Sequence, residues 1–222
     1  MGRSAYDAHG AFRAARRRLV DRLRADGIRD ARVLDAFMRV PRHEWVPATL
    51  RTEAYRDTPL PIGEGQTISA PGVVASMTEA LDLGGDDKVL EVGTGSGFQA
   101  AILSPLCRHI DSIERIPELA SAARTVLDRM GVRNVNLFVG DGTRGHPAGA
   151  PYDRVIVTAG GPEIPPRLLG QLAEGGVLVG PFGGRDVQEL VRMRRTGANR
   201  FSREVLGLCQ FVDLIGEDGW AA

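Results

Sequence analysis

Two rhythms of apolar and polar positions run along this chain. Residues 11–25 (AFRAARRRLVDRLRA) put Phe12, Leu19, Val20 and Leu23 on one face among arginines, the three-to-four spacing of an amphipathic helix that Gly27 ends. Asp30 is placed to N-cap a second helix through Phe37 and Val40, stopped by Pro41. Residues 73–81 (VVASMTEAL) form a third. From Lys88 the period shortens to that of strands. Val89, Leu90 and Val92 lead into Gly93, Gly95 and Gly97, and an apolar, Ala-rich helix spans 98–106. A strand over 110–113 ends at Glu114, a helix covers 117–130 with Pro117 at its start and Gly131 as its stop, and a strand over 135–139 ends at Asp141. A buried strand at 155–157, a helix at 165–172, a turn at Gly175 and Gly176 and a strand at 177–179 follow. Stretches 188–194 and 201–214 read as strands, a hairpin on the sheet edge. Strict β-α-β-α alternation predicts an α/β fold: a doubly wound, mostly parallel, Rossmann-like sheet with N-terminal helices and a C-terminal antiparallel strand pair.

One stretch fits neither rhythm. Between Pro41 and Gly65 lie four prolines and two glycines, counting Pro41 and Gly65 themselves, which rules out a regular helix. So long an irregular segment inside a compact domain is uncommon unless it has a function. It runs to Ser69, just before Pro71 and the third helix. On local sequence Ser69 is either a helix N-cap or a functional hydroxyl.

The chemistry gathers at strand ends, where open α/β sheets bind their ligands. A strand, a tight glycine turn (Gly93, Thr94, Gly95, Ser96, Gly97) and a helix start make a nucleotide-type site. Glu91 stands two residues before the turn. Glu114, 21 residues after Gly93 and followed by Arg115, is placed to hold ribose hydroxyls. Asp141 with Gly142 is placed to accept from an adenine amino group. Singly, Glu114 reads as a helix-start acid and Asp141 as a turn residue; in this order and spacing the three point to an adenosyl ligand. Phe98 occupies the place of the last glycine in the dinucleotide fingerprint, and acids near the turn suit a sulfonium and an ammonium better than a pyrophosphate. The ligand expected is S-adenosyl-L-methionine.

Composition narrows the classes. With 28 Lys and Arg against 28 Asp and Glu there is no global field to recruit nucleic acid or an anionic membrane, and the N-terminal arginines read as a solvated face balanced by aspartates. No apolar run approaches the roughly 20 residues of a membrane span, and no signal-peptide pattern is seen, so a cytoplasmic protein is expected. Cys107 and Cys209 read as buried free thiols. His43 reads as a buried structural donor and Trp45 and Trp220 as packing anchors; no His or Cys has metal-ligand spacing, so no metal is expected.

The chain resembles the protein-L-isoaspartate (D-aspartate) O-methyltransferases over roughly residues 16–214. The resemblance lies in 40–47 (VPRHEWVP), Ala54 and Tyr55 with Asp57 and Pro59, 65–71 (GQTISAP), 77–79 (MTE), 90–99 (LEVGTGSGFQ), 112–115 (SIER), 140–142 (GDG), 150–153 (APYD) and 157–159 (VTA). The glycine turn is common to many methyltransferases, whereas PRH and QTIS are diagnostic. The resemblance implies methyl transfer from S-adenosylmethionine to the free α-carboxylate of L-isoaspartyl residues in damaged proteins and peptides, the ester then collapsing through a succinimide towards aspartate. Ser69 matches the family's active-site serine, donating a hydrogen bond to the acceptor carboxylate, and Thr67 and Ile68 belong to the same segment, which also touches the cofactor. Residues 210–215 match the strand whose carbonyls read the substrate, which nominates Val212 and Leu214. Asp213 stands where relatives commonly have proline, and Gly72 where many bacterial ones have an aromatic or histidine; both departures bear on substrate choice.

The organisation expected is a single unit, 1–222, with an N-terminal helical and substrate-loop region (1–80), a cofactor-binding core (81–185) and C-terminal strands (186–222), acting as a monomer. The alternative within the class is a methyltransferase for a specific aspartate of a partner peptide during its maturation. A base methyltransferase would need an Asp/Asn-Pro-Pro-aromatic segment where this chain has 158–162 (TAGGP). A non-enzymatic S-adenosylmethionine-binding module is the remaining reading.

Overall fold

A computed structural model describes residues 4–221, with side chains from Gly10 onward; the ends of the expected 1–222 unit lie outside the described residues. Helices α1 (Ser4–Ala25) and α2 (Ala31–Arg39) open the chain. The Asp30 side chain accepts from the Arg32 amide as the N-cap of α2. The arginines of this region are met by acids as expected, for example Arg39 with Asp35 and Arg32 with Asp30. The Pro-rich stretch is partly regular after all: strands β1 (Leu60–Gly63) and β2 (Gln66–Ile68) pair antiparallel around a turn at Glu64 and Gly65. Helix α3 (Pro71–Ala80) follows, with Pro71 in its first turn.

The core then alternates β3 (Lys88–Val92), α4 (Phe98–Leu103), β4 (His109–Glu114), α5 (Pro117–Arg129), β5 (Val135–Val139), β6 (Tyr152–Val157), α6 (Pro166–Gly170) and β7 (Leu172–Gly183). Strands β8 (Gln188–Gly197) and β9 (Arg200–Cys209) complete a seven-stranded sheet of order β5-β4-β3-β6-β7-β8-β9. Pairs from β5 through β7 are parallel, and β7, β8 and β9 form an antiparallel meander. Two expectations are corrected here. Helix α6 ends before Leu172, and β7 begins there, running through the Gly175–Gly176 turn as a strand irregularity rather than starting after it. The strand expected to reach Leu214 stops at Cys209, and the chain beyond it is an extended strap.

Strand alternation divides the core between two faces. Val89, Ile110, Ile156, Val177 and Val179 pack with the N-terminal helices, α3 and α4, while Leu90, Val92, Ile113, Val155, Val157 and Leu178 pack with α6. The β3, β4, β6 and β7 segments are buried on both sides, as in a parallel sheet covered by helices. Because β3 has β4 on one side and β6 on the other, the chain leaves it in both directions and opens a crevice at the carboxyl ends of these strands. His43 is buried as expected, its Nδ1 2.7 Å from the Tyr55 hydroxyl and its ring stacked on Phe12 at 4.1 Å. Both cysteines are free; Cys107 is buried, but Cys209 is only half-buried. No helix among the described residues is long and apolar enough to cross a membrane.

Candidate active site

The crevice is a cleft lined mainly by four segments of the chain. Its floor is the glycine turn, its far wall is Ile113 to Ile116, and its near wall is the β2–α3 segment with Gln66, Thr67, Ile68 and Ser69. Val212, Asp213 and Leu214 of the strap close the remaining side. The glycines follow from backbone geometry: φ is +97° at Gly93, +54° at Gly95 and +85° at Gly97, which L side chains rarely adopt. Space adds a second constraint at Gly93, where a Cβ would stand 2.4 Å from Thr158 Oγ1. Gly97 faces inward instead, against Trp45 and Ala123, and packs α4 onto its neighbours.

Glu114 ends β4 inside the cleft. Its Oε2 accepts from the Gly95 amide at 2.8 Å and its Oε1 from the Ile116 amide at 2.9 Å. Those two bonds fix the carboxylate and leave each oxygen a further lone pair for ligand hydroxyls. Arg115 is exposed at the rim, and Gly142 contributes from the β5 side.

Two expected ligand contacts stand elsewhere. Glu91 does not line the cleft: strand alternation turns it to the helix-packed face, where it is fully buried under the turn. Ser112 Oγ lies 2.5 Å from its Oε2, and Thr94 Oγ1 lies 2.6 Å from the same Ser112 oxygen. Burial, reinforced by the nearby Glu114 charge, pushes the Glu91 carboxyl up to about 8, so it is largely protonated at neutral pH. Asp141 also sits outside the lining. Its Oδ1 accepts from the amide and hydroxyl of Thr143, and its Oδ2 from the Glu217 amide, which fastens the strap. Its carboxyl is held below the usual range, since these hydrogen bonds outweigh the upward push of burial.

Ser69 is half-buried at the cleft wall, and its hydroxyl makes no hydrogen bond among the described residues. It is not a helix cap: that position falls on Ala70, which has no capping side chain. Val212 and Leu214 reach the cleft as expected, but Val212 O already accepts from Gly160 N at 2.7 Å and Leu214 O from Trp220 N at 2.8 Å. Asp213 pairs with Arg185 at 3.3 Å. Gly72 does not line the cleft; it packs against Asp57. Sequence reasoning missed Phe98, Gln99, Met77, Thr158 and Phe211 as lining residues. Thr158 was findable, because it follows β6 as Gly93 follows β3, whereas Phe211 is placed by the strap, which has no periodic signal.

A strand–glycine-turn–helix unit at the switch point of a doubly wound sheet, with an acid ending the next strand, is a Rossmann-like site for an adenosyl ligand. The protein-L-isoaspartate (D-aspartate) O-methyltransferase family model matches residues 14–219, and the chain belongs to that family. A protein-L-isoaspartate O-methyltransferase of Methanopyrus kandleri is 53% identical over 214 residues, covering 94% of this chain and 95% of the relative. The enzyme of the same name from Syntrophus aciditrophicus is 51% identical over 213 residues, covering 95% and 98%. A solved protein-L-isoaspartate O-methyltransferase superposes with a TM-score of 0.82 at 28% identity, over 92% of this chain and 67% of that one. A Plasmodium falciparum β-aspartate methyltransferase in complex with S-adenosyl-L-homocysteine shares the fold, with a TM-score of 0.75 at 22% identity over 89% and 96% of the two chains.

Proposed function

We propose that Ser69 orients the free α-carboxylate of an L-isoaspartyl residue in the cleft while the glycine turn and Glu114 hold S-adenosylmethionine beside it. The chain is an S-adenosylmethionine-dependent protein carboxyl methyltransferase acting on isoaspartyl residues. The observation that carries the Ser69 assignment is a cleft-lining hydroxyl with no hydrogen bond of its own among the described residues, in a segment walled by the glycine turn.

The residues present fit the cofactor. Positive-φ glycines allow close backbone approach, Thr94, Gly95 and Ser96 line the floor, and Glu114 is anchored with lone pairs to spare. Thr67, Ile68, Arg115 and Gly142 complete the walls in this reading. When bound, S-adenosylmethionine supplies an electrophilic methyl group on a sulfonium. The protein's part is modest in chemistry and exacting in geometry. An α-carboxylate, with a pKa of about 3.5, is ionised at neutral pH, so no general base is required. What remains is to align the nucleophile and strip its water. Ser69 donates one hydrogen bond to the carboxylate oxygen that does not attack. Val212 and Leu214 bound the substrate main chain from the strap, each carbonyl retaining one lone pair.

In this reading Glu91 and Asp141 act from behind the cleft, Glu91 beneath the turn and Asp141 on the strap. The methyl ester product collapses through a succinimide, which begins repair. We also read the chain as one catalytic unit that works as a cytoplasmic monomer on damaged proteins and peptides rather than on nucleic acid or membranes. No observation favours a dedicated peptide substrate. Ser69→Ala tests the assignment: turnover on an isoaspartyl peptide should fall roughly tenfold to hundredfold, as expected for a lost orienting group, while S-adenosylhomocysteine affinity stays within about twofold. Unchanged turnover removes Ser69 from the mechanism.

A further inference from the structure

The segment that carries Ser69 has no regular structure of its own: Ser69 and Ala70 bridge the end of β2 and the start of α3. A hydroxyl on such a link orients a substrate only if its backbone is held. Two side chains from the Pro-rich approach hold it from opposite ends. Arg42 donates from Nη2 to Ser69 O at 2.8 Å and from Nε to Ala54 O at 2.8 Å. Asp57 Oδ1 accepts from the Gly72 amide at 2.7 Å. Gly72 permits that approach, since a Cβ there would stand 2.8 Å from Asp57 Oδ2.

Arg42 is 1% exposed, and its guanidinium lies over the Phe98 ring, 4.9 Å from the centroid. Phe98 begins α4 directly after the glycine turn and itself lines the cleft. One planar group thus links the Ser69 carbonyl to the element that follows the cofactor loop. A guanidinium fixes two acceptors in a set orientation, which an ammonium cannot do. As a device for stability the arrangement is poor. The cation is buried, and its Nη1 has no hydrogen-bond partner among the described residues. A buried cation with an unsatisfied N–H is costly, and its placement on the Ser69 carbonyl gives that cost a use in geometry.

We propose that Arg42 and Asp57 are positioning residues for methyl transfer, clamping residues 69–72 by the backbone so that Ser69 Oγ stands fixed in the cleft. The inference rests on the reading of Ser69 given above, and two readouts separate their failures.

The first readout is amide hydrogen exchange across 67–73 in the full chain with S-adenosylhomocysteine bound. Arg42→Lys and Asp57→Ala should each raise exchange there about tenfold while β3 and β4 keep their protection. Unchanged exchange at 67–73 in both variants overturns the clamp, whatever Ser69 does. The second is a double-mutant cycle on turnover. Each variant should lower kcat about tenfold or more in the wild-type background, since a misplacement near 1 Å can cost about 100-fold. In the Ser69→Ala background the same substitutions should cost less than about twofold. Equal losses in both backgrounds mean that the residues act on something other than Ser69, and overturn the proposal. If Ser69→Ala alone leaves turnover unchanged, the reading of Ser69 has failed, and with it the positioning role, while the exchange data still report whether the clamp exists. Asp57 is exposed, so its variant tests the idea even if Arg42→Lys fails to fold.

Discussion

Glu91 is the residue whose sequence reading and whose structure differ most. An acid two positions before a glycine turn looks like a ligand contact, yet the side chains of a strand alternate, and Glu91 shares the face of Val89 rather than opening on the cleft. Its consequence is a pH dependence. The folded state holds its proton up to about pH 8, against an ordinary value of 4.5. A group raised on folding contributes stability that is complete below the unfolded pKa and lost as pH rises through the folded one. Stability should therefore fall from about pH 4.5 to about pH 8, with a slope of at most about 1.4 kcal/mol per pH unit from this group. Glu91→Gln should fold and flatten that slope, read as the urea midpoint against pH. An identical slope in the variant would assign the dependence to other groups. Ser69, by contrast, was legible as a candidate, and the structure removed its competing role by moving the cap to Ala70. Asp141 was legible as an acid at a strand end, but its contact with Glu217 was not, because nothing local in the sequence connects the two.

At the scale of elements, the glycine turn is fixed by both conformation and space. Gly93→Ala would place a Cβ against Thr158 at a φ of +97°, and the turn would have to move. The expected outcome is a loss of S-adenosylhomocysteine binding of at least about tenfold with a folded protein; unchanged binding would mean the turn does not form the floor of the site. The strap depends on different forces. Trp220 Nε1 donates to Gly160 O at 2.9 Å, Arg185 lies over its ring at 4.8 Å, and Arg167 makes two contacts with Glu217. Trp220→Ala should loosen residues 211–215 and raise KM for peptide substrates by several-fold with little change in melting temperature. A KM that stays put would show that the strap is held without its tryptophan. The alternation of strands and helices was readable because buried parallel strands are short apolar runs between glycine and proline breaks. The β1–β2 hairpin was not, because Pro59 and Pro61 mask a pairing that the turn at Glu64 and Gly65 sets. The start of β7 was hidden for a similar reason, since Gly175 and Gly176 look like a turn between elements but lie within the strand.

Over the whole molecule, the sheet supplies one end of the cleft, with the glycine turn and Glu114, and the two least regular segments supply much of the rest. The β2–α3 link brings Ser69 and the strap brings Val212 and Leu214 to the cleft, so much of its lining comes from parts that periodicity does not reveal. This division explains why the fold and the place of Glu114 at the end of β4 were legible from pattern and spacing. The family-specific segments around Ser69 were legible only through resemblance. It also predicts linkage: a ligand bound across sheet, link and strap should stabilise them together, by about 2.7 kcal/mol at 100 times its Kd. Thermal unfolding with and without S-adenosylhomocysteine checks this, and an unmoved transition would place the ligand elsewhere.

The property that most directly defines this enzyme is which carboxylate it methylates. Incubation with labelled S-adenosylmethionine and two hexapeptides that differ in a single isoaspartyl or normal aspartyl linkage tests it directly. The isoaspartyl peptide should acquire a base-labile methyl ester and its twin should not. Equal labelling of the two, or labelling of neither while S-adenosylhomocysteine still binds, would contradict it.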